Sequence, residues 1–215
     1  SIFSELNNLN QISFEDKYSG LCGITQKELD TTLRPCIEEY AESLGITIDE
    51  TNTLLKKNYD GYHFSTRSED IYAPFSLLRA LDGKNTYHYW FESGTTTALI
   101  EHLKHHPEFN PLDFDGAELS LDAFNAPCES AETPIPLLYQ SGYLTIKDYN
   151  SEDEVYNLHF PNYEVRQGMV KGLTNYLMST DTLERDAAVL AMSRALKKGD
   201  LSSALLQMRS WIASL

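Results

Sequence analysis

Apolar residues recur along most of this chain at the three-to-four-residue spacing of a helix, and one stretch switches to the two-residue alternation of a strand. Thr25-Gln26-Lys27-Glu28 has the form of a capping box, in which a hydroxyl and a carboxylate satisfy each other's backbone amides. Leu29, Leu33, Ile37, Tyr40 and Leu44 follow at helical spacing, so the pattern predicts one helical run that Gly45 stops. A second helix is expected from near Asp49 to about Asn58. After it, Tyr59-Asp60-Gly61-Tyr62 has the chemistry of a turn, with Gly61 free to take positive φ. Pro74 suits a first helical position ahead of Phe75, Leu77, Leu78 and Leu81, and Gly83 closes that helix. Gly94 precedes another helix, Thr95 to about His106, which Pro107 terminates.

The stretch from Pro107 to Pro127 is acidic and shows no period, so it is expected to be irregular. Pro134-Ile135-Pro136 opens a short helix that Gly142 ends. Alternation then places Leu144, Ile146 and Asp148 on one face and Tyr143, Thr145, Lys147 and Tyr149 on the other. Asn150 to Asp153 is a turn, Val155 to Phe160 the returning strand, and a helix from Asn162 to about Met178 follows. Helix, hairpin, helix is the order of a winged-helix module. The remainder is a helical hairpin, with Asp181 and Asp200 as caps and Gly199 at the break. The expected fold is therefore mainly α: a helical domain, a winged-helix module with one β-hairpin, and a C-terminal helical hairpin.

Composition narrows the function. The chain has 215 residues, 41% hydrophobic and 11% aromatic, enough to bury a substantial core. No apolar run approaches the roughly 20 residues of a membrane helix. The net charge of −15, from 17 basic against 32 acidic residues, opposes a phosphate backbone, so direct nucleic-acid binding is not expected. Cys22, Cys36 and Cys128 show neither metal-ligand pairing nor a disulfide framework, which fits free thiols in the cytoplasm. The start, Ser1-Ile2-Phe3-Ser4, has no Met and no leader pattern, and the end at Leu215 falls in mid-pattern; both suggest a piece of something longer.

Catalytic signatures are missing. There is no phosphate-cradling G-x-x-x-x-G-K-[ST], no G-x-S-x-G elbow and no H-E-x-x-H. Neither wing strand carries the Glu-x-Lys of a metal-dependent nuclease. His102, His105 and His106 share one helical stretch and form a weak metal candidate; histidines in a last turn also serve the helix dipole and the free carbonyls, and that simpler role suffices. Gly168 and Gly172 suggest close approach of a neighbouring helix. The helix ahead of the hairpin, where a winged helix would read a major groove, has no Lys or Arg, and the wing sets Asp148, Glu152, Asp153 and Glu154 against Lys147. No self-contained enzyme is expected, although a metal-dependent hydrolase with a dispersed site and a nucleic-acid reader remain the alternatives.

Six motifs, in this order, resemble the AAA-ATPase-like family of bacterial proteins. They are Ser1-Ile2-Phe3-Ser4-Glu5-Leu6-Asn7-Asn8-Leu9, Tyr59-Asp60-Gly61-Tyr62-His63-Phe64 and Pro74-Phe75-Ser76-Leu77-Leu78. Trp90-Phe91-Glu92-Ser93-Gly94-Thr95, Leu138-Tyr139-Gln140-Ser141-Gly142-Tyr143-Leu144 and Asn157-Leu158-His159-Phe160-Pro161-Asn162-Tyr163-Glu164-Val165-Arg166 complete the series. The resemblance implies a parent with a P-loop ATPase core that holds ATP and Mg, then a region like this one, then a PD-(D/E)xK nuclease domain. Residues 1–24 would be the trailing edge of the core, 25–106 a helical lid, 107–179 the winged-helix module and 180–215 a helical linker toward the nuclease. The chain would relay nucleotide state and dock its own core and nuclease domains, and a separate protein partner is also possible on this reading.

Lids of such ATPases often supply an arginine to the phosphates, which makes Arg34, Arg67, Arg79 and Arg166 cofactor-binding candidates. The simpler account of each, and the favoured one, is a surface ion pair of little energetic weight. Tyr59, Tyr62 and Phe64 could meet a partner or a nucleotide base; the stronger expectation is that they wedge the turn between lid and winged helix, with rings buried and hydroxyls in water.

Overall fold

The computed structural model describes residue 12, residues 14–90, residue 103, residues 114–124, 133–177 and 182–212, with side chains described outside 173–185 and 210–215. Among these residues the protein is mainly α-helical with one small antiparallel sheet. Two compact units, Ser1–Met169 and Val170–Leu215, divide the chain.

The first unit begins with four helices: α1 (Gln26–Thr31), α2 (Arg34–Leu44), α3 (Ile48–Tyr59) and α4 (Pro74–Gly83). The capping box at Thr25 and Glu28 forms as expected, with the Glu28 amide donating to Thr25 Oγ1 at 3.2 Å and the Thr25 amide donating to the Glu28 carboxylate at 2.9 Å. The single run predicted after it is two helices. Pro35 has no amide hydrogen for the carbonyl of Thr31, so the chain breaks at Thr32-Leu33 and restarts with Pro in the first turn. Gly45 ends α2 with φ 66°.

A second capping box, Thr47 with Glu50, sets the start of α3 at Ile48. Thr47→Ala should therefore lower stability by about 1 kcal/mol in chemical denaturation, and an unchanged midpoint would remove the cap from the account of α3. Pro74 opens α4 as expected, but Lys84 and not Gly83 takes the left-handed closing conformation, at φ 51°.

Leu29, Ile37, Tyr40, Leu55, Tyr59, Tyr72, Leu77, Ala80, Leu81 and Tyr89 form the core of this helical half. Each helix contributes its apolar stripe, and Leu33 packs on the core's edge. Leu44, at the end of the stripe, is exposed.

The second half of the unit contains β1 (Glu118–Ser120), α5 (Leu121–Phe124), α6 (Ile135–Gln140), β2 (Thr145–Asn150) and β3 (Val155–His159); α7 (Tyr163–Leu177) follows, starting in this unit and ending in the second. The acidic stretch predicted to be irregular thus holds a strand and a helical turn. β1 pairs antiparallel with β3, Leu119 opposite Tyr156, so the sheet order is β1-β3-β2. The elements follow the winged-helix order, with a third strand beside the predicted hairpin.

The alternation predicted for β2 fails. A bulge separates the Ile146–Leu158 and Asp148–Asn157 pairs, leaving Lys147 extra, and Thr145 and Ile146 are both buried. This end of the sheet is covered on both faces: the hydroxyl of Thr145 meets the helical half, and Ile146 faces the sheet's own core.

Phe124 stands at the centre of an aromatic cluster, edge-on to Phe14, Tyr139 and Tyr156 at 5.3, 4.5 and 5.2 Å between centroids. Burial there raises the Tyr139 hydroxyl to about 12.

In the second unit, α8 (Thr182–Lys197) and α9 (Leu201–Ile212) form the expected hairpin. Asp200 caps α9 by accepting from the Ser203 amide at 3.0 Å, after Gly199 at φ 73°. The Asp181 cap lies outside the described residues. So does the predicted helix 95–106, apart from Leu103, which is helical and buried. Gly168 and Gly172 are both buried in α7. No helix among the described residues is long and apolar enough to cross a membrane.

Candidate functional site

Five of the six motifs meet at one place, where the helical half joins the sheet half within the first unit. The sixth, at residues 1–9, and positions 91–95 of the Trp90 motif lie outside the described residues.

The joint starts where α3 ends. Asp60 closes the helix, and Gly61 then adopts φ 102° with its backbone against the carbonyl of Pro161; a Cβ at this position would sit 2.0 Å from that oxygen. Only glycine meets both requirements. The turn returns the chain into a bridge in which Tyr62 and Ile71 exchange backbone hydrogen bonds of 3.2 and 2.9 Å.

From this bridge the chain reaches across to the sheet half. The Tyr62 hydroxyl donates to the Gly142 carbonyl at 3.0 Å. Thr145 Oγ1 accepts from the His63 amide and donates to the His63 carbonyl, both at 2.8 Å. One hydroxyl thus completes the backbone pairing of a residue 82 positions away in sequence. Gly142, at φ 76°, lies against the Trp90 ring, which a Cβ would approach to 3.0 Å.

The tyrosine expectation is half right. The rings of Tyr59 and Tyr62 are buried, but their hydroxyls donate to the carbonyls of Tyr87 and Gly142 instead of reaching water. Buried hydroxyls take such partners because a polar group removed from water must find one within the protein.

Two carboxyl groups are buried in this joint. Glu164, in the first turn of α7, is fully buried; its Oε1 accepts from the Trp90 amide at 2.9 Å, tying α7 to the end of the helical half. Its Oε2 has no hydrogen-bond partner, and the nearby Ser76 hydroxyl, which still lowers the carboxyl's proton affinity, stands short of good geometry. Burial pushes the Glu164 carboxyl above its usual range, with the Trp90 and Tyr89 amides opposing.

Asp60 is 4% exposed, and its Oδ2 lies 3.8 Å from the Lys56 ammonium while Oδ1 is unpartnered. Burial raises it too, partly offset by a hydrogen bond from the Gly61 amide. On the sheet side, burial lowers His159, and the Asp115 carboxylate opposes that shift.

Beside the joint lies a cavity of about 320 Å³. Six aromatic residues line it: Tyr62, Phe64, Tyr72, Phe75, Trp90 and Tyr139. Among the described residues, no Asp, Glu, Lys or Arg lines it.

The four candidate arginines lie elsewhere. Arg34 pairs with Glu38 at 2.8 Å on the surface of α2, and Arg79 on α4 lies over the Tyr89 ring at 5.6 Å. Arg67 sits exposed in the loop between Tyr62 and Ile71, and Arg166 on the exposed face of α7; neither makes an ion pair among the described residues. The four occupy four different elements, and none lines the cavity. His102, His105 and His106 lie outside the described residues. Among those described, no group of three or more His, Cys, Asp or Glu is placed to hold a metal ion. Cys22 and Cys36 are free and exposed; Cys128 is outside the described residues.

Glu164, Asp60 and Thr145 are the residues of the joint that pattern alone passes over. The first two stand inside the motifs, where a carboxylate among apolar neighbours is the available signal; Thr145 gives none.

No family model matches the chain, and no solved structure does. An uncharacterized protein in the vnfD 5' region of Azotobacter chroococcum mcd 1 is 34% identical over 177 residues, which cover 80% of this chain. The chain spans about a third of that relative, 31% of its length.

Proposed function

We propose that this chain is the lid and winged-helix region of an AAA-ATPase-like protein, without catalysis of its own, and that it relays the nucleotide state of an ATPase core to a neighbouring nuclease domain. The supporting observation is the convergence of the motifs that carry the resemblance. Scattered over more than a hundred residues of sequence, they assemble a single joint in which a glycine, a tyrosine, a threonine and a buried glutamate lock two dissimilar halves together. A segment that transmits displacement needs such a joint, because a packed and hydrogen-bonded contact moves as a body where a solvated linker would absorb the motion.

On this reading ATP and Mg are held by the core, the partners are the protein's own core and nuclease domains, and the setting is the cytoplasm. Arg67 and Arg166 become the stronger arginine candidates, since Arg34 and Arg79 already have partners within the chain. A nucleic-acid reader has less support: Ile135, Pro136 and Leu138 of α6, the helix in the reading position, are buried, and the chain just beyond it is bonded into the joint.

The test is hydrogen exchange on a full-length protein carrying this segment, with and without ATP and Mg. Protection is expected to change in the helical half and the sheet half together. No change in either half would remove the relay.

A further inference from the structure

We propose that the aromatic cavity beside the joint binds a small quaternary-ammonium cation. A cation over the face of Trp, Tyr or Phe is attracted by the ring quadrupole, and recognition of quaternary ammonium groups by aromatic cages rests on that attraction. Here six aromatic residues surround about 320 Å³, a volume at the lower end of small-molecule sites. The Tyr62 ring lies 6.3 Å from that of Phe64 and 6.0 Å from that of Trp90 between centroids. Among the described residues, no lysine or arginine lines the cavity to occupy these rings from within.

Charge favours a cation over a neutral guest of the same shape. The chain carries −15 overall. Two carboxyl groups, those of Glu164 and Asp60, are buried, each with one oxygen lacking a hydrogen-bond partner. Glu164 acts electrostatically on the Tyr62 hydroxyl and Asp60 on that of Tyr72, so both lie within electrostatic reach of cage walls. Lys56 offsets Asp60 in part, at 3.8 Å; Glu164 has no cation within salt-bridge distance among the described residues. This inference does not depend on the relay reading.

The test uses the chain itself and choline as the probe, followed by calorimetry and by side-chain chemical shifts. Saturable binding is expected, with the neutral isostere (carbon in place of the ammonium nitrogen) binding about tenfold more weakly, the size of one or two cation–π contacts. Phe75→Ala removes a cage wall that is 55% exposed and so spares the core. With an unchanged melting temperature, this variant should weaken choline about fivefold. Equal affinity for the isostere, or unchanged binding by the variant, would overturn the proposal, and so would failure of choline to saturate. Retention on phosphatidylcholine vesicles without binding of free choline would assign the cage to a membrane surface and overturn it as well.

Discussion

Gly61→Ala is expected to destabilise the first unit by at least about 3 kcal/mol. Two costs add. At φ 102° an L side chain is strained. The new Cβ would also fall 2.0 Å from the Pro161 carbonyl oxygen, a backbone atom that cannot rotate aside as a side chain would. Relief requires the helical half and α7 to part, which breaks the Tyr62 and Thr145 hydrogen bonds. For a unit of this size the loss corresponds to a fall in melting temperature of about 10 °C. Gly45→Ala is the control: its φ is 66°, but nothing lies within 4 Å, so it should cost only about 1 kcal/mol. Equal effects at the two sites would mean that the contact with Pro161 carries no weight.

The second large effect belongs to Glu164 and depends on pH. Its carboxyl is raised in the folded protein above the ordinary 4.5. The folded state therefore favours the protonated form; its contribution is fully present below pH 4.5 and is lost as pH rises through the folded value. Glu164→Gln keeps an oxygen for the Trp90 amide and removes the charge. The variant should match the wild type near pH 4.5 and exceed its stability by on the order of 1–2 kcal/mol at pH 8, measured by urea denaturation.

Glu164→Leu should instead lose about 2 kcal/mol or more at both pH values, because it strands the amides that the carboxyl accepts from. A wild type more stable than the Gln variant at pH 8 would show that the buried charge is compensated. Comparing variant with wild type also separates Glu164 from His159. The His159 value is lowered below the usual 6.5, so its contribution is present above that value and is lost as pH falls.

Where a structural decision is local, sequence suffices. Thr25 and Glu28 specify their cap within four residues, Pro74 suits a first helical turn, and Gly61 and Gly142 mark left-handed positions that their turns demand. Decisions taken across the chain leave little local trace. β1 is three residues long, without a period to read, and exists because β3 offers an edge to pair with. The burial of Thr145 depends on His63, and the bulge at Lys147 follows from covering both faces of one sheet end. Glu164 looks like an ordinary first-turn carboxylate favoured by the helix dipole until packing removes it from water. The motifs are visible in sequence as separate words; that they touch is a fact of the fold.

Native-state hydrogen exchange on the chain tests the joint most directly, by following the amides of Ile71 and Tyr72 in the helical half and of Leu158 in the sheet half, in wild type and Gly61→Ala. A rigid joint predicts a common opening free energy in the wild type, lowered by the same amount in both halves by the substitution. Protection lost at Ile71 and Tyr72 but kept at Leu158 would show two halves that open independently, and would contradict it.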